Sequence, residues 1–148
     1  MTRVLVLQGP NLNLLGTREP HIYGSDTLEE VHAGISARAA ELGVEVLFFQ
    51  SNHEGALIDR LHVRDFDAAI VNAAGLTHTS VALRDALTGI ARPFWEVHLS
   101  DPSSREAFRR VNYLHDVATG SVAGQGAAGY HIALDQIAAR FEARHDRA

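Results

Sequence analysis

Five short apolar runs alternate with segments of helical period along this chain, and that alternation restricts the fold more than any other feature. Arg3-Val-Leu-Val-Leu7 is a continuous apolar run ended by Gly9-Pro10, the pattern of a strand buried on both faces of a parallel sheet. A polar segment punctuated by glycine and proline follows, from Pro10 to Gly24. At Asp26 the period changes. Asp26-Thr-Leu-Glu29 has the form of a capping box, and Leu28, Val31, Ile35, Ala39 and Leu42 recur at helical spacing up to a stop at Gly43. The same reading gives strands at Val44–Phe49, Ala68–Val71 and Pro93–His98, and a weaker one at Ser121–Ala123. It gives helices at Glu54–Val63, with Leu57, Ile58 and Leu61 on one face, at Ser80–Leu87 ending at Gly89, and at Ala127–Arg144. A short helical turn capped near Asp101 is expected at Ser103–Arg110.

Strands alternating with helices in 148 residues predict an α/β fold, a flavodoxin-like open five-stranded parallel sheet with helices on both faces. The length suits one hydrophobic core, so residues 1–148 are expected to form a single domain. All 13 basic residues are arginine, and there is no cysteine. A chain without lysine forms no imine with a carbonyl substrate and has no Walker A lysine. A chain without cysteine has no thiolate nucleophile, thiolate metal site or disulfide. Acid–base chemistry therefore falls to His, Asp, Glu, Tyr or water. The net charge of −5 argues against a nucleic-acid partner. No apolar run approaches the ~18 residues of a membrane span, and the run Val4–Leu7 is too short for a signal peptide. A cytoplasmic protein is expected.

In an open parallel sheet, ligands bind beyond the carboxyl ends of the strands. Asn11, Asn13, Arg18 and Tyr23 follow the first expected strand, and Ser51, Asn52, His53 and Glu54 the second. Asn72, Thr77, His78 and Thr79 follow the third, while Glu96, His98 and Ser100 lie at the end of the fourth. This collection of polar residues suits a small, polyhydroxylated, anionic ligand. Leu12, Leu14 and Leu15 are expected to anchor the first loop. The segment between Gly16 and Gly24, with Arg18 and Tyr23, has the look of a lid with glycine hinges. An ordinary phenol titrates near ~10 and is a poor base at neutral pH, and a nearby guanidinium favours the phenolate. Glu96 and His98 are two apart on a strand and share a face, where a carboxylate orients an imidazole and raises its proton affinity, as a general acid requires. Arg105 and Arg109, four apart on one expected helix, are placed to close on a carboxylate.

Two motifs are set aside. Gly124-Gln-Gly-Ala-Ala-Gly129 matches the dinucleotide fingerprint, but no strand with an acidic residue follows it. A tight turn with close helix–sheet packing is expected instead. The nine histidines include no H-E-x-x-H pair, and no metal site is expected.

Several blocks together resemble the type II 3-dehydroquinate dehydratases. They are Gly9-Pro-Asn-Leu-Asn-Leu-Leu-Gly-Thr-Arg-Glu-Pro20 with Ile22-Tyr-Gly24, Gln50-Ser-Asn-His-Glu-Gly55, Thr77-His-Thr-Ser-Val-Ala-Leu-Arg-Asp-Ala86, Glu96-Val-His-Leu-Ser100 and Arg105-Glu-Ala-Phe-Arg109. They occur in family order over essentially the whole chain. The resemblance implies a flavodoxin-like fold and a cofactor-free dehydration of 3-dehydroquinate to 3-dehydroshikimate through an enolate. Tyr23 matches the base of that family, Arg18 the arginine that lowers its pKa, and Asn11 the asparagine that positions a water for the enolate oxygen. His98 matches the acid that protonates the departing hydroxyl, with Glu96 in support. Asn72, His78, Leu99, Ser100 and Arg109 match residues that hold the substrate, and Arg105 a second lid arginine. Asp85 matches a residue that reaches a neighbouring subunit's site in a homododecamer built from trimers.

The chain departs from the family's usual order in places. Asn72-Ala-Ala-Gly-Leu76 stands where Asn-Pro and an aromatic are usual, Asp101 replaces Asn, and Gln125 replaces an apolar residue. Val111-Asn-Tyr-Leu-His-Asp116 stands where His-Ser-Tyr and then Ser-Pro are usual. The alternative function is a catalytically weak paralogue that binds a related cyclic polyhydroxy acid. Retention of Tyr23 and Arg18 weighs against it, since binding alone needs no base.

Overall fold

The computed structural model describes residues 1–147. Its five strands are β1 (Arg3–Gln8), β2 (Glu45–Gln50), β3 (Ala68–Asn72), β4 (Phe94–His98) and β5 (Gly120–Ala123), all parallel, in the order β2-β1-β3-β4-β5. The helices are a single turn α1 (Pro20–Tyr23), then α2 (Leu28–Leu42), α3 (Glu54–His62), α4 (Val81–Gly89) and α5 (Ala128–Arg147). This is the doubly wound, flavodoxin-type order, whose direction of winding reverses between β1 and β3.

Alternation along the central strands assigns each side chain to one of two cores. Val4 and Val6 of β1, with Ala68 and Ile70 of β3, face α2 and α5, where Val31, Ile35, Tyr130, Leu134 and Ile137 are buried. Leu5, Leu7, Ala69 and Val71 face the other way, onto Leu57 and Leu61 of α3 and Leu83 and Leu87 of α4. Burial on both faces is why β1 and β3 read as unbroken apolar runs. β2 is an edge strand, and each of its residues is only partly buried.

Local chemistry departs from the expected pattern at three points. The cap of α2 lies one residue later than the expected box: Thr27 Oγ1 accepts from the Glu30 amide at 3.2 Å and donates to its carboxylate at 3.1 Å. Of the three loop leucines, Leu12 and Leu15 are buried, but Leu14 points to solvent. The helix expected at Ser103–Arg110 is two separate 3-10 turns, Pro102–Ser104 and Ala107–Arg110, because Arg105 is extended at φ −110°, ψ −152°. Elsewhere the expectation holds. Gly43 ends α2 in the left-handed region at φ 70°. Gly124–Gly129 is a turn in which a Cβ at Gly129 would lie 3.3 Å from Val97, so the third glycine serves close helix–sheet packing. Among the described residues no helix is long and apolar enough to cross a membrane.

Candidate active site

The loops after β1, β3 and β4 meet beyond the sheet, at the crevice where winding reverses. Gly9 makes that meeting possible: a Cβ there would lie 2.5 Å from the Ala73 carbonyl oxygen. The result is a cavity of about 680 Å³, open space at its mouth included. The β1 loop contributes Asn11, Arg18 and Tyr23, the β3 loop Asn72 and His78, and the β4 loop His98, Leu99, Ser100, Arg105 and Arg109. Glu96 lies behind His98 and does not line this cavity. Asp85 sits exposed on α4 and is not brought to it, and neither are Asn13, Thr79 or the residues after the edge strand β2. Asn52 acts from a distance, its Oδ1 accepting from the backbone amide of Asn11 at 2.9 Å, where Asn11 holds a left-handed φ of 69°.

Glu96 and His98 continue the face of β4 that begins with Phe94 in the second core. His98 Nε2 lies 2.6 Å from Glu96 Oε2. The Glu96 carboxylate is 1% exposed and has three further partners: Asn112 Nδ2 on Oε2, with His115 Nδ1 and Ser121 Oγ each at 3.0 Å from Oε1. Burial is the largest single influence on this carboxyl and pushes it up. The hydrogen bonds from His98 and Asn112, the His98 charge and the His115 bond together outweigh it, bringing the carboxyl from 4.5 to about 2. Glu96 is therefore an anion across the working pH range.

Tyr23 stands on α1, between Gly16 and Gly24, which have φ of 91° and 90°. Two arginines meet it, and their placement differs from the simple pairing of Arg18 with the phenol. Arg105 Nη1 donates to the phenol oxygen at 2.6 Å, while the Arg18 guanidinium lies over the ring, 4.8 Å from its centre. Arg105 and Arg109 reach the same cavity from different turns and not from one helix face. Arg109 is steadied by an ion pair with Glu106.

His78 Nδ1 donates to the Val111 carbonyl at 2.6 Å. Burial, the largest cause, lowers its pKa against the effect of that carbonyl, and the charges of His98 and Arg109 lower it further. A neutral imidazole with Nε2 as acceptor results. Asn72 Nδ2 donates to the Tyr130 hydroxyl at 2.9 Å, and that hydroxyl donates to Gln8 Oε1 at 2.7 Å. The amide of Asn72 is thereby fixed from inside the core. Burial raises the Tyr130 phenol to about 12, so it serves as a hydrogen-bonding strut and does not ionise.

Among the described residues, three arginines and two histidines line the cavity and no carboxylate does, although the chain carries a net charge of −5. The wall therefore favours an anionic ligand. An imidazole paired with a buried carboxylate stands on one side, and a phenol held by a guanidinium stands on the other. Sequence reasoning missed Gln8, Tyr130, Asn112, His115 and Ser121. Only Ser121 has a simple structural address, since it pairs in register with Glu96 across β4 and β5.

Comparison with known proteins finds full-length relatives. Residues 2–138 match the family model described as "Dehydroquinase class II". The chain is 55% identical to a 3-dehydroquinate dehydratase of Bordetella pertussis, over 97% of this chain and 98% of that one. It is 50% identical to a catabolic 3-dehydroquinase of Emericella nidulans, over 94% and 92%. The crystal structure of a type II dehydroquinase from Butyrivibrio crossotus superposes with a TM-score of 0.89 at 38% identity, covering 92% of this chain and 97% of that one. The fold, the cavity at the β1/β3 crevice and these full-length matches carry one conclusion: the chain belongs to the class II dehydroquinase family.

Proposed function

We propose that this chain is a hydro-lyase that dehydrates 3-dehydroquinate to 3-dehydroshikimate through an enolate. The observation that carries the reading is the pairing of Tyr23 and His98 across one cationic cavity, the first bonded to Arg105 and the second to Glu96. Tyr23, as phenolate, takes the proton beside the substrate ketone, and charge moves onto the ketone oxygen. A water positioned by Asn11 meets that oxygen. His98 then protonates the departing hydroxyl, which leaves as water, and the enolate collapses to the enone. Arg105 donates to the phenol oxygen, and the Arg18 guanidinium lies over the ring. Asn72, His78, Ser100, the backbone of Leu99 and Arg109 hold the substrate's hydroxyls and carboxylate. Both acid and base come from the chain, and the elimination needs no cofactor. With no lysine in the sequence, no imine serves as electron sink.

The same reading treats residues 1–148 as one catalytic domain in the cytoplasm, assembled as a homododecamer of trimers. In that assembly Asp85, exposed on α4, faces a neighbouring subunit's cavity. The test of the reaction is direct. On addition of 3-dehydroquinate, the absorbance of a conjugated enone should rise with saturating kinetics. Saturable binding with no enone formed would overturn the reading in favour of a binding protein.

A further inference from the structure

The Glu96 carboxylate bridges two imidazoles, and only one of them belongs to the cavity. Oε2 takes His98, whose side chain is 9% exposed, and Oε1 takes His115, whose side chain is 67% exposed. His115 is held in place there. Leu114 beside it is fully buried, and Asn112 Oδ1 accepts from the amides of both Leu114 and His115, at 2.9 and 3.0 Å. Asn112 and His115 both come from the segment that departs from the family's usual order, and both land on this carboxylate. A second cavity, behind the first, is lined by Glu96, His98 and His115 and opens this face to solvent.

We propose that His115 is a positioning residue for the general acid: it fixes the Glu96 carboxylate from the solvent side, and its charge competes with that of His98 for the same buried anion. The proposal rests on the reading of His98 as the acid. The physical argument is one of charge balance. Glu96 supplies one negative charge, and its other two partners, Asn112 and Ser121, are neutral. Two imidazolium ions on one carboxylate repel each other, so a proton on His115 makes a proton on His98 less favourable. A neutral His115 that donates to Oε1 also draws on the carboxylate and weakens its hold on His98. Both effects act in the same direction. Removing His115 strengthens proton binding at His98.

Other charged groups surround the pair. His78 and Arg109 face His98 from the cavity side, and Asp101 follows β4. Arg110 and Asp116 line the rear cavity with His115, and Asp116 is engaged by Arg84 at 3.0 Å. None of these changes when His115 is replaced.

The experiment is a histidine titration followed by nuclear magnetic resonance on the full chain, beside kcat and KM profiles, for the unmodified protein, His115→Asn and His115→Phe. The Asn variant keeps a neutral donor, and the Phe variant keeps neither donor nor charge. If one variant folds poorly, the other carries the test. In the unmodified protein, the pH dependence of the His98 resonances should carry a contribution from His115. In the variants, that dependence should move to higher pH. The high-pH limb of kcat should move with it, while KM changes by less than about twofold. A His98 titration identical in all three proteins overturns the proposal, and so does a change confined to KM. Absence of enone formation in the unmodified protein, with the His98 shift still present, would sink the assigned reaction and leave the shared carboxylate standing.

Discussion

His98 and Tyr23 face one cavity, yet they are held in opposite ways. His98 ends a central strand, is nearly buried, and leans on a carboxylate with four partners drawn from β4, β5 and the Asn112–His115 segment. Tyr23 stands on a single helical turn between two glycines and is held by one hydrogen bond from Arg105 and by the guanidinium of Arg18 over its ring. The proposed acid is built into the sheet, where packing is dense and rearrangement is costly. The proposed base stands on a four-residue turn between two glycines of positive φ. Substitutions on the two sides should therefore fail differently, in stability on the sheet side and in rate alone on the loop side.

The largest effect is expected from Tyr23→Phe. Turnover should fall by roughly 10²- to 10⁴-fold, the usual worth of a positioned base, with KM within a few-fold and thermal stability unchanged. A variant that keeps its rate would remove Tyr23 as the base and end the comparison.

Glu96→Gln comes next and should act on both rate and stability. Loss of charge-assisted hydrogen bonds should lower turnover by roughly 10- to 100-fold. A carboxyl depressed from 4.5 to about 2 contributes stability that is fully present above its unfolded pKa and is lost as the pH falls toward 2. That contribution is on the order of 3 kcal/mol at 1.36 kcal/mol per unit. The Gln variant should be less stable at pH 7 and should lose less on acidification. Urea midpoints measured from pH 6 to pH 3 give the comparison, and parallel curves for the two proteins would show that Glu96 carries no such linkage.

The smallest effect separates the two arginines. Arg105→Ala removes a charged hydrogen bond on the phenol oxygen, and a loss of about 10- to 100-fold is expected. Arg18→Gln removes a cation over the ring face, where a loss of only about two- to five-fold is expected. In Arg105→Ala the low-pH limb of kcat should move to higher pH by more than it does in Arg18→Gln. The reverse order would show that the phenol's partner changes when substrate binds.

Much of this molecule is legible in its sequence, and the illegible parts share a cause. β1 and β3 announce themselves because burial on both faces keeps the stretches Val4–Leu7 and Ala68–Val71 wholly apolar. The cap of α2 was offset by one residue because Asp26 and Thr27 are both good caps and each has a glutamate three residues on. Arg105 and Arg109 have helical spacing, but a break at Arg105 decides their geometry, and spacing carries no sign of that break. The cavity residues were legible because strand ends in such a sheet converge on one crevice. The cage around Glu96 was not, because Asn112 and His115 arrive from an irregular segment and Ser121 from across the sheet. Those contacts exist only once the register is set.

The cavity wall has one more consequence. Its permanent positive charges are all guanidinium groups, from Arg18, Arg105 and Arg109. A guanidinium keeps its proton throughout the range in which enzymes work, whereas an ammonium buried in a similar place is prone to lose it. The guanidinium share of the attraction for an anionic ligand is therefore uncoupled from acidity. As the solution becomes more alkaline, that share stays constant. What it contributes to occupancy by substrate or by a competing anion answers to ionic strength.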